Sequence, residues 1–380
     1  AEMRAESLQM GHSLGRWLQA VCPEPAQDDW IAQHLQPLAL PVAWAIAARR
    51  LGLGADESAL AWLWSFAENQ ASVLMKAMPM GQIRWPQEKH NMLKTHGRYD
   101  YSAISRRPDY SWPGGKRLAV HIALNVEHFA CGEGLGNDYA VPHPQPNTRS
   151  FAWRDYGNRV GAWRLLELAD ALQLPLGLLT NTELYDYCPE MIQAFSARGD
   201  EIVGHGRTNS ERQIDMDEAT ERAMLQEVRD RFIQEEGKAP KGRLGPFISQ
   251  SAKTPELLLE TGYTYQMDWF FDEQPQWFRT DRGPIMSVPY PSMELNDIPA
   301  FINRGASDGE FTTMITDGFN QQLGDGERNS WPLVCGVSLH TFLMGQPHRA
   351  HQLKLILEHM AAQRSRVWFT TPGEIADHVS

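Results

Sequence analysis

The sequence predicts an α/β fold, a parallel sheet covered by helices and curled into a barrel, with a small all-helical segment ahead of it. Two observations carry this. From Leu118 to Phe369, short apolar runs alternate with helical stretches, the pattern of strands joined by helical crossovers. The first part of the chain differs in composition: it holds six Trp within 85 residues, and the first Tyr is Tyr99. Residues 1–95 carry 8 basic and 9 acidic residues, so nearly all of the net charge of −12 lies downstream.

The elements follow in order. Leu38 to Leu53 is rich in Ala, Leu and Arg, which favour helix. Asp56 can cap a second helix from Glu57 to about Met78, stopped by Pro79. Leu60, Leu63, Trp64 and Ala67 fall on one face of it. Residues 1–85 thus form a helical segment. Residues 86–116 read as linker and barrel entry, broken by Pro86, Pro108, Pro113 and Gly114-Gly115. The barrel takes residues 117–380. Its expected strands are Leu118–Leu124, Leu174–Leu179, Glu201–Val203, Leu333–Leu339 and Arg366–Phe369. Its expected helices are Gly161–Leu172, Cys188–Arg198, Asp217–Gly237, Pro255–Thr261 and Ala350–Arg364.

Composition excludes several classes. With 42% hydrophobic and 22% charged residues, the chain reads as a globular protein. An acidic balance without a Lys/Arg-rich run argues against nucleic-acid binding. No apolar run reaches the ~18 residues of a membrane span. Ala1-Glu-Met-Arg-Ala-Glu6 does not read as a secretory signal. The four cysteines, Cys22, Cys131, Cys188 and Cys335, are scattered. A reducing cytoplasm is therefore the expected location, with neither nucleic acid nor membrane as partner.

In barrels of parallel strands, chemistry gathers at the strands' C-terminal ends. The first strand runs into Asn125-Val-Glu127-His128, a third into Gly204-His205-Gly206, and a late one ends in His340. A carboxylate and two imidazoles converging on the barrel mouth supply a general base, a general acid and an orienting partner.

From about Tyr99 to His378 the chain resembles the polysaccharide deacetylase, or NodB-homology, superfamily. The matching features are Asn125 and Glu127, Glu201-Ile-Val-Gly-His205, Leu244-Gly-Pro-Phe247, Leu339-His340 and Trp368-Phe-Thr-Thr-Pro-Gly373. It is most similar to the branch of cofactor-independent allantoinases and cyclic-imide hydrolases, through Trp153–Arg159, Val288–Pro291 and Glu294–Asp297. The resemblance implies a deformed (β/α) barrel of about seven strands and a homo-oligomer. It also implies a departure. Metal-dependent members carry an Asp pair and two His four residues apart; here the positions are Asn125 and Glu127, then His205 and Asn209. Asn is a poor zinc ligand, so no cofactor is expected. Zinc held by Glu127, His205 and Asn209 is the alternative.

The early segment resembles part of an F-type urease accessory protein, through Met10–Leu14, Leu40–Arg50, Trp62–Gln70 and Met78–Gln82. It is either an accessory module able to meet urease assembly proteins or a helical remnant; the remnant is the preferred reading.

The leading expectation is a hydrolase of a non-peptide C–N bond in a small cyclic amide or ureide. Glu127 would activate water, His205 would orient it or polarise the carbonyl, and His340 would protonate the leaving nitrogen. Asn125, Arg159, Arg207, Asn209, Trp269, Glu294, Asn296, Asp297 and Arg349 are candidate substrate contacts. The alternatives are a zinc-dependent N-acetyl-sugar deacetylase and a non-enzymatic partner in urease assembly.

Overall fold

β1 (Leu118–Val126) is buried at every one of its nine positions, as a strand of a parallel sheet covered on both faces must be. Its faces differ nonetheless. Leu118, Val120, Ile122, Leu124 and Val126 pack in the large cluster under the helices. Ala119 and Ala123 belong to the cluster inside the barrel. The period of two that separates them carries His121, Asn125 and Glu127 to the inner face. β8 (Leu333–His340) divides in the same way, with Leu333, Cys335, Val337 and Leu339 outside. Val334 lies inside, and the same parity puts His340 there.

In the computed structural model of the chain, the described residues are 96–132, 146–291 and 295–380. The helical segment expected over 1–85 lies outside them. β2 (Leu176–Thr180), β3 (Glu201–Gly204), β4 (Gly242–Arg243), β5 (Tyr265–Gln266), β6 (Gln276–Thr280), β7 (Gly283–Ser287) and β9 (Val367–Thr370) complete the sheet. Its order is β6-β7-β5-β4-β3-β2-β1-β8, with β9 also beside β1. The ladders are parallel except between β6 and β7. β6 and β8 are the ends of that path, so the barrel is a curled, open sheet rather than a closed ring.

The helices are α1 (Thr148–Tyr156), α2 (Ala162–Leu172), α3 (Leu184–Tyr187), α4 (Pro189–Arg198), α5 (Glu218–Glu236), α6 (Thr254–Glu260), α7 (Asp308–Asn329), α8 (Thr341–Met344), α9 (Pro347–Ala361) and α10 (Pro372–Val379). Gln173 closes α2 in the left-handed conformation, which delays β2 to Leu176, two residues after the expected start. α7 was not expected. It carries Gly309, Gly318, Gly324 and Gly326, which weaken its helical signal. A capping box between Ser307 and Glu310 starts it.

The expected linker is described from residue 96, and from there it is part of the barrel. Arg107 pairs with Asp272 through both guanidinium nitrogens, at 2.7 and 2.6 Å. Tyr99 stacks on Phe271 at 3.8 Å. Trp112 is buried and donates to the Leu333 carbonyl at 2.9 Å.

One close approach steadies the region just after His340. The turn of π-helix at Gly157–Gly161 lies against α8, and a Cβ on Gly161 would run into the Thr341 carbonyl. Gly161→Ala should therefore cost about 1–3 kcal/mol. Gly324→Ala, in α7 with open space around it, should add up to about 1 kcal/mol through helix propensity. Urea unfolding of both variants beside the parent protein measures the two opposite signs.

Candidate active site

A cavity of ≈ 160 Å³ opens at the C-terminal ends of the strands, lined by Asn125, Glu127, His205, Asn209, Leu244, Phe247, Ile248, Tyr290, Asn296, Ile298, Pro299, Asn303 and His340. Glu127 follows β1, His205 follows β3, and His340 ends β8. Asn125 sits beside His340 in the β1–β8 ladder. The structure thus brings together the three residues expected to do the chemistry.

Glu127 is 6% exposed. Its Oε1 accepts from Asn209 Nδ2 at 2.6 Å and faces Nε2 of His205 at 3.4 Å and of His340 at 3.5 Å. Its Oε2 is buried without a protein partner. Burial opposes its charge, but the charge of His340 and the two facing imidazoles outweigh it and hold the carboxyl well below the usual range. Asn158 donates to the Glu127 carbonyl at 2.9 Å, fixing the backbone there.

His340 is gripped by Asp297, which takes the ring Nδ1–H at 2.6 Å and the backbone N–H at 2.6 Å. Burial disfavours the charged ring, but the carboxylates of Asp297 and Glu127 more than compensate, and its pKa rises to about 9. The ring is therefore cationic at neutral pH. His205 differs. Its Nδ1 lies 2.8 Å from the Leu244 carbonyl. A carbonyl only accepts, so Nδ1 carries the hydrogen, and in the neutral ring the lone pair is on Nε2. That Nε2 has no hydrogen-bond partner.

Zinc fits this donor set poorly. The third candidate ligand, Asn209, turns its NH₂ to Glu127, as an amide beside a carboxylate must. Its oxygen takes Asn181 Nδ2 at 3.4 Å. Among the described residues, no group of three or more His, Cys, Asp or Glu is placed to hold a metal ion.

Several expected substrate contacts lie elsewhere. Arg159 pairs with Asp155 and Tyr187, and Arg207 with Glu211 and Glu227. Arg349 pairs with Asp308 and lies 4.0 Å over the Phe301 ring. Trp269 donates to Gln250 at 2.8 Å within an aromatic cluster. None of the four lines the cavity. Asp297 acts on His340 rather than on the rim. Asn296 does line the cavity, and Glu294 lies outside the described residues. Sequence reasoning missed Tyr290, Asn303 and the wall formed by Phe247 and Ile248. Those last two adopt left-handed φ values of 60° and 53°, rare for such side chains and a source of local strain. Nothing in Pro246-Phe-Ile248 announces this.

The electrostatics have a pH signature. The His340 pKa is raised in the folded state, so its contribution to stability is complete below about pH 6.5 and is lost as pH rises through about 9. At 1.36 kcal/mol per unit, that loss is about 3 kcal/mol. Asp297→Asn should remove most of it. Urea unfolding at pH 6, 8 and 10 should show the wild-type chain losing its lead over the variant as pH rises.

Comparison with known proteins divides the chain in two. Residues 1–87 match the UreF family model. Urease accessory protein UreF of Pseudomonas paraeruginosa is 45% identical over 86 residues, 22% of this chain and 37% of that protein. That of Ectopseudomonas mendocina is 38% identical over 131 residues, 34% of this chain and 58% of that protein. The chain therefore spans well under two thirds of these relatives' length. The structure is similar to PuuE allantoinase, with a TM-score of 0.66 and 27% identity over 74% of this chain and 97% of the other. It is also similar to a probable polysaccharide deacetylase from Pseudomonas aeruginosa PAO1, with a TM-score of 0.63 and 27% identity over 72% and 94% of the two chains. A third likeness, with a TM-score of 0.61 and 25% identity, is to a putative polysaccharide deacetylase from Mycobacterium smegmatis, over 72% and 93%.

Proposed function

We propose that the barrel is a hydrolase of a C–N bond other than a peptide bond, acting on a small cyclic amide or ureide by general acid–base catalysis. The likeness to an allantoinase and to deacetylases supports the reaction class. The juxtaposition of the Glu127 carboxyl and the Asp297-held His340 imidazole, 3.5 Å apart in one cavity, is the observation that carries the reading. Among the described residues no Lys or Arg lines that cavity, which favours an uncharged substrate over an anionic one.

Each residue has a task set by its surroundings. Glu127 Oε2, an acceptor, and His205 Nε2 are both without a protein partner. A water donating to Glu127 Oε2 and lying against His205 Nε2 keeps a lone pair free for the substrate carbonyl carbon. As its oxygen bonds to that carbon, Glu127 takes the proton. Glu127 is a weak base while His340 is charged. When His340 Nε2 gives its proton to the leaving nitrogen and the C–N bond breaks, that charge disappears and Glu127 becomes more basic. The two groups titrate as a pair. Proton return from Glu127 to His340 restores the starting state, leaving a carboxylic acid, which gives its proton to solvent, and a freed amine or amide nitrogen.

Glu127→Gln and His340→Ala should each lower kcat by about 10²–10⁴-fold. The assay is a panel of allantoin, hydantoins, cyclic imides and N-acetyl sugars, before and after chelation and with added zinc. Loss of activity on chelation, with zinc bound one to one, would replace this reading by a zinc-dependent deacetylase. Wild-type turnover in both variants would remove these residues from the mechanism.

The match of residues 1–87 supports a second reading, in which that segment meets urease assembly proteins. Co-purification with urease subunits is the expected result. A chain lacking residues 1–85 that hydrolyses normally, and a full chain that captures no urease protein, would leave only the hydrolase.

A further inference from the structure

We propose that Asn181 and Asn209 form an amide relay that aims an N–H at Glu127 and so selects which carboxylate oxygen is left for water. This rests on the reading of Glu127 as the base. The relay starts from a group with no choice. The backbone N–H of His128 can only donate, and it meets Asn181 Oδ1 at 2.8 Å. The Asn181 NH₂ is therefore on the other side, where it meets the His205 carbonyl and, at 3.4 Å, Asn209 Oδ1. With its oxygen engaged there, Asn209 presents its NH₂ to Glu127 Oε1 at 2.6 Å. One backbone hydrogen thus sets the first amide, and the second is held between that amide and the Glu127 carboxylate. The Asn209 N–H also bonds the His128 carbonyl at 2.8 Å, so the same two loops are tied at both ends.

The chain of contacts is closed off from solvent, with Asn181 at 0% and Asn209 at 1% exposure. Its effect is asymmetric: Oε1 is occupied and Oε2 is not. The two imidazoles also face Oε1, but at 3.4 and 3.5 Å, so the Asn209 N–H is the short contact that holds the carboxylate against rotation about its last bond. Asn181 does not line the cavity, so it is a positioning residue with no path to the substrate except through its neighbours.

The test changes one group on Asn181. Asn181→Asp still accepts from His128 but sets an oxygen against Asn209 Oδ1, which turns the second amide away from Glu127. We expect kcat to fall about ten- to a hundredfold, the loss of one hydrogen bond to a charged group, with KM nearly unchanged. Asn209→Ala should do the same. The double variant should be no worse than Asn209→Ala alone, because the first change acts only through the second. Wild-type kcat in Asn181→Asp, or additive losses in the double variant, would overturn the relay. An effect transmitted through the His205 carbonyl would be additive. A measurement without substrate covers an inactive protein or a variant that does not fold. In ¹⁵N spectra of the wild-type chain, the Asn209 side-chain amide, assigned by its loss in Asn209→Ala, should exchange slowly and shift in Glu127→Gln. A rapidly exchanging amide, insensitive to Glu127→Gln, would reject the relay. If the wild-type chain turns over none of the panel, the hydrolase reading fails while the same Asn209 signal, which should shift in Asn181→Asp and would reject the relay by staying unmoved, still decides the relay.

Discussion

A carboxylate buried between two imidazoles is the constraint to which the rest of this barrel answers. An ionised Glu127 taken out of water is costly unless it is surrounded by donors and opposite charge. Here the compensation comes from four places: His340 from β8, His205 from β3, Asn209 from the loop after β3, and Asp297 holding His340 from behind. They come from three separate segments of the chain. The sheet must therefore be correctly wound before the charge is tolerated.

The scaffold meets that demand through β1. It pairs with β2, β8 and β9, so the strand that delivers Glu127 is the most restrained in the sheet. Its large side chains face the helices, and its small and polar ones face inward. The backbone after His340 is held by direct contact with the π-helical turn at Gly157–Gly161, which sets the ring in place between Asp297 and Glu127. A strained wall at Phe247 and Ile248 closes one side of the cavity, and strain of that kind concentrates at functional sites.

The two halves of the chain carry different kinds of likeness. Residues 1–87 match the UreF family model, and urease accessory proteins are 45–47% identical to this chain over 85–86 residues. The barrel is similar in structure to an allantoinase and to deacetylases at 25–27% identity across nearly their whole length. The first likeness covers 37–58% of the relatives' length; it bears on partners. The second covers 93–97% of those chains; it bears on the fold and the reaction class.

The sequence by itself determined the fold class and the three converging residues, because both are local. Apolar runs mark strands of a covered sheet, and polar residues at their ends mark the mouth. The alternation Leu-Ala-Val-His-Ile-Ala-Leu-Asn-Val-Glu from position 118 even states which face each residue takes. Arg159 and Arg207 lie off the cavity, each paired with a carboxylate four residues away, Asp155 for Arg159 and Glu211 for Arg207. What only the tertiary structure decided is who touches whom. Asp297 and His340 are 43 positions apart, and Asn209 and Glu127 are 82. The irregular segments carrying Asn181 and Tyr290 have no period to read. Protonation states, the direction of each amide and the choice of a free oxygen on Glu127 arise from those long-range contacts, and no local pattern encodes them.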